Sequence, residues 1–384
     1  MKLGFFYHIV VYKDSEGRIF LPAYLGLFVD ELAKHAENIY YFAFTSKKVT
    51  TEQNYELKQS NVVLVDLGKK QSFPITVILG YFFLRKHSDI ANICDKILVR
   101  APSPVAPYFY FAFKRYTKIH YLMVGDYKEG IKHQNFNFFK QLLINFFTNI
   151  NELFQNKAIR GSGCIVNSAP LKIKYENLNR NIEIVKTTTL TKDNFFNRID
   201  TCKENSNIKL LFVGRIEKAK GMDELVATFK LLRQNKYPVS LHLAGWDTTD
   251  ANSYFQQLNK SNFTSDAWQY HGLLCGNELF QLYRESDIFV LPSYHEGFPR
   301  VIWEAMANSL PVVTTKVGSI PKNLQHGVNA MLVNIKNETE LYIAVSDIIS
   351  DKFLRQKLIK NAGVLVQDCL MDVQVKKIID YINE

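Results

Sequence analysis

Short apolar runs alternate with longer stretches of helical spacing along the whole chain, and few architectures accept that order. Leu3–Tyr12, Ile39–Phe44, Val62–Val65, Ile97–Val99, Ile119–Val124, Cys164–Val166 and Ile182–Val185 read as buried strands. Between them Leu25, Phe28, Val29 and Leu32 recur at three and four residues, as do Phe139, Leu142, Leu143, Phe146, Phe147, Ile150, Leu153 and Phe154. The pattern then repeats: Ile208–Val213 is a strand ending in Gly214, Met222–Leu232 a helix, and Val239–Ala244 a strand ending in Gly245. Ile288–Leu291, Val301–Ala307 and Val312–Thr315 continue as strand, helix and strand. Strand–helix alternation specifies a mostly parallel sheet with helices on both faces.

The chain has 384 residues, of which 47% are apolar and 22% charged. That supports about two or three cores and excludes global disorder and small disulfide scaffolds. We expect an N-terminal Rossmann-like domain over 1–190, a polar linker over 191–207, a C-terminal Rossmann-like domain over 208–370, and a separate amphipathic helix in 371–384. Two doubly wound domains in tandem place a cleft at the carboxyl ends of their strands. The longest uncharged apolar run, Gln71 to Leu84, is too short to span a bilayer as a helix. Leu3–Tyr12 follows Lys2 as a signal peptide would, but no small-x-small site follows, so a first strand is expected. The five cysteines are scattered, without a CxxC or Cys/His cluster, which suits a reducing cytoplasm and no structural zinc.

Charge is uneven. Residues 1–190 hold 25 Lys and Arg against 15 Asp and Glu, and the remainder is balanced, so the net +10 sits in the first half. This excess is either ordinary solubility charge or a basic face that meets something anionic, such as lipid headgroups or a diphosphate-linked acceptor. Nucleic acid is not expected as a partner, because no helix-turn-helix, zinc-finger or RNP pattern is present. The stretch Pro107–Arg115 interleaves aromatic residues with Lys114 and Arg115, as either a core helix or a peripheral membrane surface would.

The chemistry concentrates in Pro292-Ser293-x-x-Glu296-Gly297-Phe298-Pro299 and Glu304-Ala305-Met306-Ala307, directly after a strand. Pro299 stands where a helix begins. Its first N–H groups and its dipole suit an anion such as a diphosphate. Gly297 lets a ligand approach the backbone closely. Glu304 lies more than one turn inside the helix, so the two carboxylates reach different parts of an extended ligand. That separation suits hydroxyl recognition better than a shared-proton dyad. A second constellation, Gly214-Arg215-Ile-Glu-Lys-Ala-Lys220-Gly221, follows another strand. Arg can fork onto two phosphate oxygens and Lys adds a point charge. The loop matches neither a Walker A nor a GxGxxG pattern.

Together these motifs resemble the retaining glycosyltransferases of family 4, with their Glu-x7-Glu core and GT-B fold of two Rossmann-like domains facing a cleft. Val317-Gly318, Ile320-Pro321, His326-Gly327-Val328-Asn329 and Leu332-Val333 are similar to the family as well, so the resemblance covers about residues 208–335. It implies that Arg215 and Lys220 hold the donor diphosphate, that Glu304 accepts from the ribose hydroxyls, and that Glu296 contacts the transferred sugar. The backbone of Gly297, Phe298 and Pro299 would line sugar and phosphate, and the loop of His271, Gly272 and Leu273 would border the base. It implies transfer of a hexose or N-acetylhexosamine from a nucleotide-diphosphate sugar, UDP favoured over GDP, with retention and no catalytic metal or cofactor. In this front-face reaction Arg215 and Lys220 stabilise charge growing on the leaving diphosphate. The implied acceptor is a glycan on polyprenyl diphosphate in surface-polysaccharide assembly. The protein would then be cytoplasmic and peripheral on the inner membrane face, with the last helix packed on the first domain. A soluble sugar acceptor and a catalytically silent nucleotide-sugar-binding subunit are the alternatives.

Three positions depart from the family's pattern. Leu21–Gly26 has one glycine where a Gly-rich loop is common. Val124-Gly125-Asp126-Tyr127 stands where a first-domain histidine is common. Asp126 is the nearest counterpart as a catalytic residue, with a helix or turn cap as its other reading. Gly318-Ser-Ile-Pro-Lys322 replaces Gly-Gly-x-Pro-Glu.

Overall fold

The structure is a computed structural model, and it describes all residues except 51–52, 127–137, 203–205, 249 and 262–265. The chain divides into two units, Met1–Thr189 with Met371–Glu384, and Leu190–Leu370.

Unit 1 is built on β1 (Lys2–Lys13), β3 (Asn38–Ser46), β5 (Val62–Asp66), β6 (Lys96–Ala101), β7 (Lys118–Met123), β8 (Gly163–Val166) and β9 (Ile182–Ile184). These run parallel in the order β5-β3-β1-β6-β7-β8-β9. Two short strands without a sequence signal, β2 (Ile19–Leu21) and β4 (Tyr55–Glu56), extend the far end of β1 antiparallel. The period-2 pleat feeds two cores. Phe6, Ile97, Val99, Ile119 and Tyr121 enter one, while Leu3, Phe5, Leu98 and Leu122 enter the other. The first core is covered by helices α2 (Phe73–Arg85), the short α3 (Ser88–Ile93), α4 (Ala106–Phe113), α5 (Phe138–Arg160) and α6 (Ala169–Tyr175). Pro107, Tyr108, Phe109, Ala112 and Phe113 are buried, so the aromatic stretch is a core helix rather than a membrane surface. Its high apolar density made the two readings indistinguishable from sequence.

The second core is covered by α1 (Ala23–Ala33) and by the last helix, α14 (Met371–Asn383), whose Val375, Ile378, Ile379 and Ile382 pack with Leu25, Val29 and Leu32. Polar contacts fasten α14 as well. The Tyr381 hydroxyl accepts from the Cys164 N–H at 2.9 Å and donates to the Asn181 carbonyl at 2.7 Å.

Unit 2 is a parallel sheet of β10 (Ile208–Val213), β11 (Val239–Ala244), β12 (Trp268–Tyr270), β13 (Ile288–Leu291), β14 (Val312–Thr315) and β15 (Met331–Val333). Its order is β12-β11-β10-β13-β14-β15, the doubly wound 3-2-1-4-5-6 arrangement. Helices α7 (Met222–Gln234), α8 (Ala251–Asn259), α9 (Gly276–Glu285), α10 (Arg300–Ala307), the short α11 (Ile320–Asn323), α12 (Glu338–Ser350) and α13 (Lys352–Gln367) accompany it. The polar segment read as a linker is docked on this unit. Leu190, which the sequence assigned to the first domain, is fully buried in the core of this unit, and Asp200 of the segment pairs with the buried Arg355 at 2.5 Å. Its polar side chains concealed contacts made mainly through backbone and ion pairs, such as the Phe196 N–H on the Ala307 carbonyl.

Among the described residues no helix is long and apolar enough to cross a membrane.

Candidate functional site

The strand order of unit 2 reverses between β10 and β13, and ligands of such sheets bind beyond the carboxyl ends of strands at that point. Leu210 lies opposite Ile288 and Leu211 opposite Phe289, which brings Val213 level with Leu291. The two sequence-selected loops therefore leave the sheet side by side.

Contacts between backbones hold them there. Gly221 has φ +73°, and a Cβ at this position would lie 2.0 Å from the Pro292 carbonyl oxygen. The Tyr294 N–H donates to the Ala219 carbonyl at 2.9 Å. Gly318, φ +55°, closes the loop from the other side, where a Cβ would lie 1.8 Å from the Glu296 carbonyl oxygen. The Ser319 N–H donates to the Gly297 carbonyl at 2.8 Å. The replacement Gly-Ser-Ile-Pro-Lys thus keeps the glycine that this packing requires.

Within this frame the Lys220 ammonium donates to Glu296 Oε1 at 2.5 Å, with both side chains largely sheltered. The pair joins residues 76 positions apart, and no local pattern could have announced it. Arg215 differs. It is exposed and pairs with Glu217 at 2.9 Å, a surface contact that contributes little to stability. Its fork is thus available to a ligand at small cost.

Pro299 caps α10 and Arg300 is the first helical residue, one position later than a Pro at the first turn. Gly297 is exposed, and a Cβ there would meet nothing within 4 Å. Phe298 stacks on Trp303 at 4.1 Å between ring centroids, which orients the loop entering the helix. Glu304, on the second turn, accepts from the Tyr283 hydroxyl at 3.1 Å. Burial first, and Glu304 second, raise the Tyr283 pKa well above that of a free phenol, so the hydroxyl remains a donor. Tyr294 likewise donates to both carboxylate oxygens of Glu224, at 2.9 and 2.7 Å.

Tyr283, Tyr294 and Glu224 escaped the sequence reading. Each sits in an ordinary amphipathic or loop pattern, and only the fold turns it toward the motif.

The loop after β12 carries His271, Gly272 and the exposed Leu273. Its backbone is tied to the neighbouring strand end by the Gly245 N–H on the Gly272 carbonyl at 2.8 Å. His271 Nε2 lies 3.0 Å from His242 Nδ1, and the rings stack. Burial, then the neighbouring His271 and Lys209, push the His242 pKa down to about 4.

In unit 1, Asp126 follows the carboxyl end of β7, and its carboxylate accepts from Lys174 at 2.7 Å. Lys174 also donates to Glu152 at 2.9 Å. Tyr127 lies outside the described residues. Among the described residues no three His, Cys, Asp or Glu side chains gather as metal ligands.

Residues 193–364 match the family model described as Glycosyl transferases group 1. An uncharacterized glycosyltransferase of Methanocaldococcus jannaschii is 27% identical over 54% of this chain and 53% of that protein. The capsular polysaccharide biosynthesis glycosyltransferase CapM of Staphylococcus aureus is 26% identical over 43% of this chain and 42% of its own. The chain thus spans about half the length, or less, of these curated relatives. The crystal structure of Anabaena HepE in complex with UDP superposes with a TM-score of 0.71 at 17% identity, over 99% of this chain and 98% of that one. The chain has the GT-B fold, and residues 193–364 of its second unit are similar to the glycosyl transferases of group 1.

Proposed function

We propose that the protein is a retaining glycosyltransferase that moves a hexose or N-acetylhexosamine from a nucleotide-diphosphate sugar to a glycan acceptor, without a metal. The observation that carries this reading is the juxtaposition of Lys220 and Glu296 at the switch point of unit 2, beside the open backbone of Gly297. Arg215 and Lys220 supply the cations for a diphosphate. The amino end of α10 adds its partial positive charge. Glu304, oriented by Tyr283, takes ribose hydroxyls, and Glu296, oriented by Lys220, takes hydroxyls of the transferred sugar. Gly272 and Leu273 border the base.

As the glycosidic bond breaks, negative charge grows on the leaving diphosphate. Lys220, held by Glu296, and the exposed Arg215 stabilise that charge more than they stabilise the ground state. The leaving phosphate then takes the acceptor's proton. Asp126 enters as a carboxylate positioned by Lys174 on the acceptor-side unit. That ion pair favours an orienting role for Asp126 over a proton-accepting one.

UDP-sugars are the first donors to test, since HepE, of the same fold, was solved with UDP. A polyprenyl-diphosphate-linked acceptor fits the positive charge of the first half. Peripheral membrane contact is supported by the exposed Ile78 and Phe82 of α2 and Leu142 and Phe146 of α5.

The test is release of nucleotide and sugar from UDP-, GDP- and ADP-sugars in EDTA, for wild type beside Arg215→Ala and Glu304→Ala. Turnover of one donor by wild type alone is expected. Binding without turnover, with and without acceptor, would instead favour the silent-subunit reading, and failure to bind any donor would remove the proposal.

A further inference from the structure

β6, β7 and β8 begin at Lys96, Lys118 and Gly163, and a cavity of about 810 Å³ opens beside these starts. This is the amino end of the unit 1 sheet, opposite to where doubly wound folds place their ligands, and the proposed reaction uses none of it. Five cations line the cavity, Lys96, Lys114, Arg115, Lys118 and Arg160, against the single carboxylate of Asp95. That carboxylate already accepts from the Lys2 backbone N–H at 2.7 Å. Among the described residues, Arg115, Lys118 and Arg160 make no ion pair. Lys114 lies over the Tyr110 ring, 4.9 Å from its centroid, so a ring wall accompanies the charge.

His120 supplies the second observation. It lines the cavity, is 7% exposed, and has no hydrogen-bond partner on either ring nitrogen. A buried polar group left unpaired costs about 1–3 kcal/mol, and a native structure retains few of them without a reason. Gly163 makes room for the ring, since a Cβ there would lie 2.2 Å from His120 Nδ1. Burial, then Lys96 and Lys118, push the His120 pKa down to about 4. Burial and Lys118 also lower that of Lys96. Positive charge is crowded here, and an anion accepting from His120 would relieve both the crowding and the unpaired nitrogen.

We infer that this cavity is a second anion-binding site, for a phosphate ester, separate from the donor site and independent of the reading given for it. Five cations to one carboxylate suit a dianion better than a carboxylate ligand. The volume leaves room for an organic group against Tyr110 and Tyr116. The ester is either the headgroup of an anionic phospholipid or a soluble phosphate.

The probe is inorganic pyrophosphate, titrated calorimetrically into the full chain carrying Arg215→Ala and Lys220→Ala, so that the donor loop does not contribute. Saturable binding is expected, with the His120 imidazole resonances shifting on titration. Adding Arg115→Ala and Lys118→Ala should weaken it about tenfold or more, the loss of two charge-assisted hydrogen bonds. Adding Lys47→Ala and Lys48→Ala, which removes equal charge elsewhere, should leave it unchanged. Arg115 and Lys118 are exposed, so their removal should alter stability by no more than about 0.5 kcal/mol. His120→Phe keeps a ring in the wall and should weaken binding several-fold.

Absence of saturable binding, or equal affinity after Arg115→Ala and Lys118→Ala, would overturn the inference. Vesicles of phosphatidylcholine with and without phosphatidylglycerol then separate the sources. Sedimentation that needs both phosphatidylglycerol and Arg115/Lys118 assigns a lipid headgroup. Pyrophosphate binding without sedimentation assigns a soluble ester.

Discussion

Replacing Gly221 by alanine tests whether the two site loops are held by one backbone contact. The residue has φ +73°, and the new Cβ would lie 2.0 Å from the Pro292 carbonyl oxygen and 2.6 Å from its carbon. The left-handed conformation alone costs a non-glycine residue about 1–2 kcal/mol. The overlap adds about 1–3 kcal/mol if the loops yield as overpacked cores do. Relief requires the Gly221 and Pro292 segments to separate by about 1.5 Å, the difference between that overlap and ordinary contact at about 3.5 Å. Such a shift also parts Lys220 from Glu296, now at 2.5 Å, and misplacement by about 1 Å can cost about 100-fold in rate. Differential scanning calorimetry of the full chain should show the unit 2 transition lowered by roughly 6–12 °C, taking about 3 kcal/mol and about 2–4 °C per kcal/mol. The control is Gly297→Ala, where the Cβ meets nothing within 4 Å. It should melt as wild type, within about 0.5 kcal/mol, while losing affinity for a bound nucleotide sugar that approaches the backbone. A Gly221→Ala protein with wild-type melting would refute the contact argument. One that melts low but binds donor normally would refute the link from the contact to the site.

Tyr283→Phe removes one hydrogen bond to the Glu304 carboxylate and should weaken donor binding about tenfold, a loss of about 1.5 kcal/mol, measurable by calorimetry with the preferred nucleotide sugar. Arg355→Met breaks a buried pair and strands Asp200, costing about 3–5 kcal/mol in denaturant unfolding. Although burial works to raise it, hydrogen bonds from Arg355 hold the Asp200 pKa below its ordinary value. Its contribution is therefore complete above the unfolded-state pKa of about 3.9 and lost as pH falls through the folded one. The acid limb of a stability–pH profile should be shallower in Arg355→Met. His242 has its pKa lowered to about 4. The unfolded chain therefore takes up a proton below about pH 6.5 that the folded chain refuses. Stability should fall as pH drops from about 6.5 toward that lower value, by a smaller amount in His242→Gln.

Much of the fold was legible because parallel strands buried on both faces must be written as continuous apolar runs. β1, β3, β5, β10, β11 and β13 all stand where such runs occur. The short strands were not. β2, β4 and β12 have two or three residues each, too few for any period, and they exist because a neighbouring strand offers an edge. The site motifs were legible for a different reason. Glu296, Gly297, Pro299 and Glu304 are close in sequence, so one strand–loop–helix segment carries their geometry.

What the sequence determined by itself was local: which segments are strands or helices, where charge collects, and which loops carry phosphate-binding and hydroxyl-binding residue types. Only the tertiary structure decided which distant residues meet. It set Lys220 on Glu296, Tyr283 under Glu304, Gly221 against Pro292 and Lys174 on Asp126. It also gathered basic residues from two strand starts and two helix ends around an unpaired His120. The physical reason is that period and capping act over a few residues of chain. Carboxylate partners and backbone approaches depend instead on strand order and register, which are set by how whole apolar faces pack.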